Sequence, residues 1–384
     1  MRFLHTADWH LGRVYHGLSL LDDQSHLLDQ FVELVKKTKP DAVLIAGDIY
    51  DRSVPPAEAV RLLDKTLTRI VLDEKTPVIL IAGNHDGADR LGFGSQLLTA
   101  AGLTVRGLPD TDVAPVILSD EHGEVAIYPL PYADPAQIRQ LLDSEDIADH
   151  HAGLSSQMDR LRAVHPQGRR SVVVAHAFVQ GGSVSESERP LSVGGTGSVG
   201  ADVFADMHFV ALGHLHRPQN IGGQHIHYSG SLMKYSFNEA DQPKSVSLVE
   251  LDGAGLVSIE RITLAPRRDL RILEGDLQDL IAASATDPGK EDYVMARLTD
   301  TGALLDAMSK LRTGYPNALA IERIESVGNS AGLGSGQDHR KVGIHELFSG
   351  FYEDMTGTPL GEEALKLLNS EISAIDQRER EVTA

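Results

Sequence analysis

Five times between residues 1 and 216, a short apolar, β-branched run ends in a polar cluster. The clusters are Asp8-Trp9-His10, Gly47-Asp48-Ile49-Tyr50-Asp51, Gly83-Asn84-His85-Asp86, Ala175-His176-Ala177 and Gly213-His214-Leu215-His216. No other feature constrains the fold of this 384-residue chain as much. Runs such as Ala42–Ala46 and Val78–Ala82 read as strands buried on both faces. In an open α/β sheet, ligands bind outside the carboxyl ends of strands, so five polar clusters at five strand ends can converge on one crevice.

The intervening segments are helical or extended in alternation. Asp22–Thr38 carries Leu27, Leu28, Phe31, Val32, Leu34 and Val35 at i, i+3, i+4 spacing, and Pro40 stops it. A second helix opens at Pro55 and Pro56 and carries Val60, Leu63, Leu67 and Ile70. Arg2–Thr6 is strand-like, and later strands are expected at Thr104–Arg106, Val125–Tyr128, Ser171–Ala175, Phe209–Leu212, His225–Tyr228, Ser245–Leu251 and Leu256–Leu264. Early strand–helix–strand units favour parallel pairing, and the closely spaced late strands favour antiparallel hairpins. Residues 1–265 therefore read as an α/β layer structure with mixed sheets. The Gly- and Ser-rich Gly181–Gly200 reads as an ordered functional loop within it.

The pattern changes near Pro266. Strands at Arg271–Glu274, Tyr293–Leu298 and Leu319–Ile324 alternate with helices at Leu277–Ala283 and Ala303–Arg312, which predicts a small α+β domain over residues 266–328. A flexible linker is expected at 329–343, within the Gly- and Ser-rich Ser326–Gly343. Residues 344–384 hold two amphipathic patterns, Ile344–Met355 and Leu360–Gln377. Two isolated helices bury little by themselves, so these are expected to dock on a partner through Leu347, Phe348, Phe351, Leu365, Leu368 and Ile372.

The chain has no cysteine, which excludes disulfides, iron–sulfur clusters and thiol nucleophiles. Its longest apolar runs span about five residues against the roughly 20 of a membrane helix, and no apolar leader is evident. A soluble, cytoplasmic protein without membrane contact is expected.

The clusters supply neutral imidazoles, carboxylates and an amide oxygen, a mixed donor set suited to Mn²⁺, Fe²⁺ or Zn²⁺. Taken alone, Gly-Asp and Gly-Asn-His at strand ends are good turn formers, because Asp, Asn and Gly tolerate turn dihedrals, and a lone Asp-x-His occurs often by chance. Jointly and in order, Asp8, His10, Asp48, Asn84, His176, His214 and His216 make seven ligands. One bridging carboxylate raises them to eight contacts, enough for two ions with open positions for water and substrate. An anionic phosphoryl group is the natural guest. His225 and His227 alternate along a strand and are weaker candidates for lining the site, while the remaining histidines read as surface or packed residues.

These signatures resemble the calcineurin-like metallophosphoesterase superfamily. DWHLGR, AGDIYDRSVPP, AGNHDGADRL, GHLHRPQ and YSGSLMKYSFNE narrow the likeness to the bacterial SbcD family of nuclease subunits, and PRRDLRILEGDLQDLI, YVMARLTD and LRTGYPNALAIE are similar to that family's capping domain. The resemblance implies a sandwich of mixed β-sheets flanked by helices, with a small α+β capping domain for DNA recognition and C-terminal helices. It implies that Asp8, His10 and His216 hold one metal, that Asn84, His176 and His214 hold the other, and that Asp48 bridges them. The ion implied is Mn²⁺. His85 is implied to stand beside the leaving group, where an imidazole can protonate a departing 3′ oxygen. Archaeal and eukaryotic relatives carry His at the position of Asp51, so that part of their mechanism does not transfer. Asp51 is instead expected to orient a ligand or a water.

The activity implied is 3′→5′ exonuclease on duplex DNA ends and endonuclease on single strands and hairpins. An SMC-like ABC ATPase of the SbcC type would gate it, bound through the C-terminal helices to a homodimer within a heterotetramer. The alternatives are a stand-alone phosphodiesterase or phosphatase of the same superfamily, or a non-catalytic, metal-containing scaffold for the ATPase. The formal charge of −20 weighs against autonomous DNA binding through counterion release. It is spread over both regions, with 22 basic and 34 acidic residues in 1–265 and 13 and 21 in 266–384. DNA affinity is therefore expected to come from the metals, from Arg13, Arg52, Arg90 and Lys234, and chiefly from the partner.

Overall fold

The computed structural model describes residues 1–191, 197–301 and 304–324, with isolated residues between 348 and 368. Residues 1–324 form one compact unit and 325–384 a second. The expected linker and most of the two tail helices lie outside the described residues.

Two six-stranded sheets build the main layer pair. The first runs, edge to edge, Gly255–Thr263, Ser245–Asp252, Arg2–Thr6, Ala42–Ala46, Val78–Ile81 and Leu103–Arg106. Its last four strands are parallel, and its first two extend the sheet antiparallel. The second runs Gln219–Asn220, Ile226–Tyr228, Phe209–Gly213, Arg170–His176, Gly123–Leu130 and Val116–Asp120. Its four central strands are parallel and its two edges antiparallel.

Alternation along each strand sends residues to opposite faces. Phe3, Leu44, Ile79 and Ile81 of the first sheet meet Ile127, Val172, Val174 and Phe209 of the second in a shared apolar seam. The opposite face of the first sheet, with Leu4, Val43, Ile45 and Leu80, is covered by helices Leu21–Thr38 and Ala57–Thr68. Met158 and Leu161 of helix His150–Val164 cover Tyr128 and Val173 on the second sheet.

Three differences from the sequence expectation have physical causes. The late strands Phe209–Gly213 and Ile226–Tyr228 pair parallel, not as a hairpin. The hairpin lies one step later, where Gln219–Asn220 turns back onto Ile226–Tyr228 and restores the direction of its neighbour. The second helix is regular only over Ala57–Thr68 and closes in a π-turn at Arg69–Asp73, so Ile70 falls outside the regular helix; Val60, within it, faces outward and is exposed. The helix expected from Ala303 begins at Ala307, after Asp306 in a left-handed conformation.

Residues 270–323 form a three-stranded parallel sheet of Leu270–Gly275, Tyr293–Leu298 and Ala318–Arg323. Helices Leu277–Ala283 and Ala307–Gly314 cover it through a cluster of their own that includes Leu280, Val294, Leu298, Leu311 and Tyr315. The Tyr293 hydroxyl donates to buried Asp23 at 2.7 Å, which ties this layer to the first helix.

Candidate metal centre

All five clusters sit at carboxyl ends of strands, three from the first sheet and two from the second. The turns that present them are unusual for their residue types. Asp8, His10, Asp48 and His214 have φ of 53°, 44°, 50° and 106°, a region that costs non-glycine residues energy and persists only where surrounding contacts enforce it. The glycines beside them permit close approach: a Cβ on Gly213 would stand 1.9 Å from the Ala46 carbonyl oxygen, and one on Gly47 2.5 Å from His176 Nδ1. Asp86 fastens two of the turns, its carboxylate accepting backbone N–H bonds from Gly83 (2.9 Å), Tyr50 (2.9 Å) and Ile49 (3.1 Å). Burial first, and the nearby Asp48 charge second, push Asp86 up to about 7.

The seven expected ligands converge. His10 Nε2 and His216 Nε2 face each other at 3.1 Å, and His176 Nε2 lies 2.9 Å from Asn84 Oδ1. His214 Nδ1 is 3.3 Å from the same amide oxygen, and its backbone N–H donates to Asp8 at 3.0 Å. Asp48 is central: its Oδ2 is 3.7 Å from His10 Nε2, 3.5 Å from His176 Nε2 and 3.9 Å from His85 Nε2, and its Oδ1 accepts the His85 backbone N–H at 2.9 Å. Asp8, His10 and His216 form one group able to grip an ion, and Asp8, Asp48 and His176 another.

The donor chemistry fits cations. His176 Nδ1 donates to the Ala46 carbonyl at 2.9 Å, which leaves Nε2 as a bare lone pair facing the Asn84 oxygen. Two acceptors at that separation repel unless a cation lies between them, and metal–ligand bonds of about 2.0–2.2 Å place neighbouring donors roughly 3 Å apart. Burial holds the four histidines below their ordinary range, His10 and His214 furthest, so neutral imidazoles stand ready as ligands. Burial, then Asp48, pushes Asp8 well above the usual carboxylate range, a penalty that positive charge relieves.

His85 and Asp51 are also at the site. His85 Nδ1 donates to the Asp51 backbone carbonyl at 2.8 Å. The Asp51 carboxylate pairs with Arg13 at 3.2 Å and lies 3.7 Å from His10 Nδ1. His227 is elsewhere, buried between Asn220 and Ser247, the latter at 2.8 Å.

Sequence reasoning missed the residues behind the ligands. Gln24 donates to the Trp9 and His10 carbonyls at 3.1 and 2.8 Å and accepts from the Gly12 N–H at 3.0 Å, steadying the first turn from the first helix. Ser187 and Glu188 reach His216 from the Gly181–Gly200 segment, and Glu239 and Lys244 lie behind them. The sequence signals for this group were indirect: the glycine-rich loop holds Ser187 and Glu188, and the YSGSLMKYSFNE signature ends on Glu239.

The chain matches the family described as calcineurin-like phosphoesterase over residues 1–218, and the Type 5 capsule protein repressor C-terminal domain over residues 266–356. It is similar to the SbcD subunit of nuclease SbcCD from Staphylococcus saprophyticus, at 35% identity over 375 residues and 98% of each chain. It is likewise similar to the SbcD subunit of nuclease SbcCD from Staphylococcus epidermidis, at 33% identity over 379 residues, 99% of this chain and 100% of the relative. Among solved structures it is similar to a dimetal phosphatase from Danio rerio, at 14% identity and a TM-score of 0.42 over 69% of this chain and 99% of that one. With a matched family spanning more than half its length and full-length relatives above 30% identity, the chain belongs to the calcineurin-like phosphoesterase family, in the group of the SbcD nuclease subunits.

Proposed function

We propose that this chain is the metal-dependent DNA nuclease subunit of an ATP-regulated DNA end-processing complex. The observation that carries the reading is the convergence of seven metal-type donors, Asp48 central among them, from five strand ends on one crevice, in a chain similar along its whole length to proteins named as nuclease subunits. Asp8, His10 and His216 would hold one ion and Asn84, His176 and His214 the second, with Asp48 available to both. Mn²⁺ is the ion that the likeness to the SbcD family implies, and this nitrogen-and-oxygen set can accept it as it can Fe²⁺ or Zn²⁺. Such a pair, when bound, supplies a water of lowered pKa and neutralises charge on the phosphoryl group.

The chain's own groups do the rest. His85 is aimed by the bond from its Nδ1 to the Asp51 carbonyl, and from its Nε2 it gives a proton to the departing 3′ oxygen. The Asp51 carboxylate, held by Arg13, steadies His10 from its Nδ1 side. DNA ends and hairpins are the substrates, cut as a 3′→5′ exonuclease and a single-strand endonuclease in the cytoplasm. An SMC-like ATPase bound through residues 344–384 supplies most of the DNA affinity that a chain of net charge −20 lacks. Two copies of the chain act within a heterotetramer.

The test is cleavage of end-labelled duplex and hairpin DNA in Mn²⁺, with and without the ATPase. Metal-dependent phosphodiester cleavage that the partner stimulates is expected. Faster turnover of small phosphate esters than of DNA would overturn the reading, as would a complex that assembles but cuts nothing.

A further inference from the structure

His216 differs from the other ligand histidines in what stands behind it. Its Nδ1 is 2.6 Å from Ser187 Oγ, and that hydroxyl donates in turn to Glu239 Oε1. Glu239 Oε2 pairs with Lys244 Nζ at 2.7 Å and accepts the Tyr235 backbone N–H at 3.2 Å. Lys244 Nζ then returns to the His216 carbonyl at 2.8 Å, closing a ring of contacts around one residue. Glu188 adds a fourth hold, accepting the His216 backbone N–H at 2.6 Å. Ser187, His216, Glu239 and Lys244 are all buried. By contrast, among the described residues His176 Nδ1 is backed by a single backbone carbonyl, and His10 Nδ1 has no hydrogen bond, only the Asp51 carboxylate at 3.7 Å.

The direction of the chain of bonds follows from what each group can do. An ionised carboxylate only accepts, so the Ser187 hydrogen points to Glu239 and the serine oxygen is left to accept from Nδ1–H. The Nε2 of His216 must then carry the lone pair, and it is the atom facing His10 at 3.1 Å. A buried ion pair whose charges are both satisfied is rigid, whereas either partner alone would be costly.

We propose that Ser187, Glu239 and Lys244 form a positioning relay that locks His216 in its metal-binding tautomer and orientation, and so sets the affinity of the metal that His216 shares with His10. This rests on the two-metal reading above. Ser187 lies on the Gly181–Gly200 segment, and its carbonyl accepts from Arg13, the partner of Asp51, at 3.4 Å. The relay therefore also ties the placement of Ser187 and Glu188 to the order of the metal centre.

The experiment titrates Mn²⁺ into metal-free full-length wild type, Ser187→Ala and Ser187→Thr by calorimetry, with metal-free thermal unfolding as the control for folding. Orienting contacts of this kind are worth about 10–100-fold in metal affinity. One of the two equivalents in Ser187→Ala should weaken by that factor while the other stays at the wild-type value, and Ser187→Thr, which keeps the hydroxyl, should recover it. Two equivalents at wild-type affinity in a folded Ser187→Ala would overturn the relay, as would equal loss in both variants. A wild type that fails to bind two ions would instead overturn the metal reading itself, so the two failures are told apart. Should Ser187→Ala not fold, Glu239→Asp, which shortens the reach to Ser187 and keeps a charge for Lys244, replaces it under the same criteria.

Discussion

The two sheets make unequal contributions to the centre. The first delivers the oxygen donors Asp8, Asp48 and Asn84 together with His10, on turns in which three of these residues are left-handed. The second delivers only imidazoles, His176 at the last position of its strand and His214 and His216 just beyond the next. Neither sheet supplies all seven donors alone. The donors meet only because Phe3, Leu44, Val172, Val174, Phe209 and their neighbours pack the two sheets face to face. An apolar seam thus fixes donor separations at the site on its rim, which it meets through the Ala46 carbonyl, and interiors are packed densely enough to transmit such a constraint.

The largest effect is expected from removing the group that both sheets approach. Asp48→Ala loses the carboxylate lying between His10 and His176, so metal content by elemental analysis should fall below two per chain. Nuclease activity should drop by more than the about 100-fold typical of losing a contact behind a ligand. Two bound ions in this variant would show that the sheets hold their metals independently.

His85→Ala leaves the seam and the ligands intact and removes only the proposed proton donor. Its kcat should fall about 10²–10⁴-fold with metal content unchanged, the usual worth of a positioned acid. Cleavage at the wild-type rate would remove His85 from the chemistry.

Paired cavity variants sharpen the contrast between the seam and the 270–323 layer. Phe209→Ala and Leu311→Ala each open a fully buried site and should cost about 3–5 and 2–5 kcal/mol in chemical denaturation. Only Phe209→Ala, in the seam, should also weaken Mn²⁺ binding. Equal effects on the metal would mean that the seam has no special hold on the centre.

The smallest effect is a pH dependence away from the donors. His227, buried on the strand next to the edge of the second sheet, is held down to about 3 by burial and then by Arg261. Its folded value lies below the roughly 6.5 of an unfolded histidine. The stability it confers is therefore complete above about pH 6.5 and is lost as the pH falls toward 3, where the unfolded chain takes up a proton that the fold refuses. His227→Gln should flatten the melting temperature across that window, and an unchanged slope would assign the dependence to other groups.

Much of this arrangement was legible in the sequence, because a strand and the polar turn that ends it are adjacent along the chain. Ala42–Ala46, Arg2–Thr6, Leu277–Ala283 and Tyr293–Leu298 have the bounds their patterns predict. Helix His150–Val164 was missed because Gly153, Ser155 and Ser156 dilute the spacing of Leu154, Met158 and Leu161. Strand Val116–Asp120 was missed as an edge strand with only partly covered side chains. The relay was invisible for a different reason: Ser187 and Glu239 are 52 residues apart, and serine and glutamate carry no periodic signal that would join them.

The left-handed turns at Asp8, His10, Asp48 and His214 bear on how such a protein can be improved. Each stores about 1–3 kcal/mol that glycine, or in part asparagine, would release. A selection that rewards heat resistance or yield alone would therefore drift toward glycine at these positions, enriching sturdier proteins that can no longer cut.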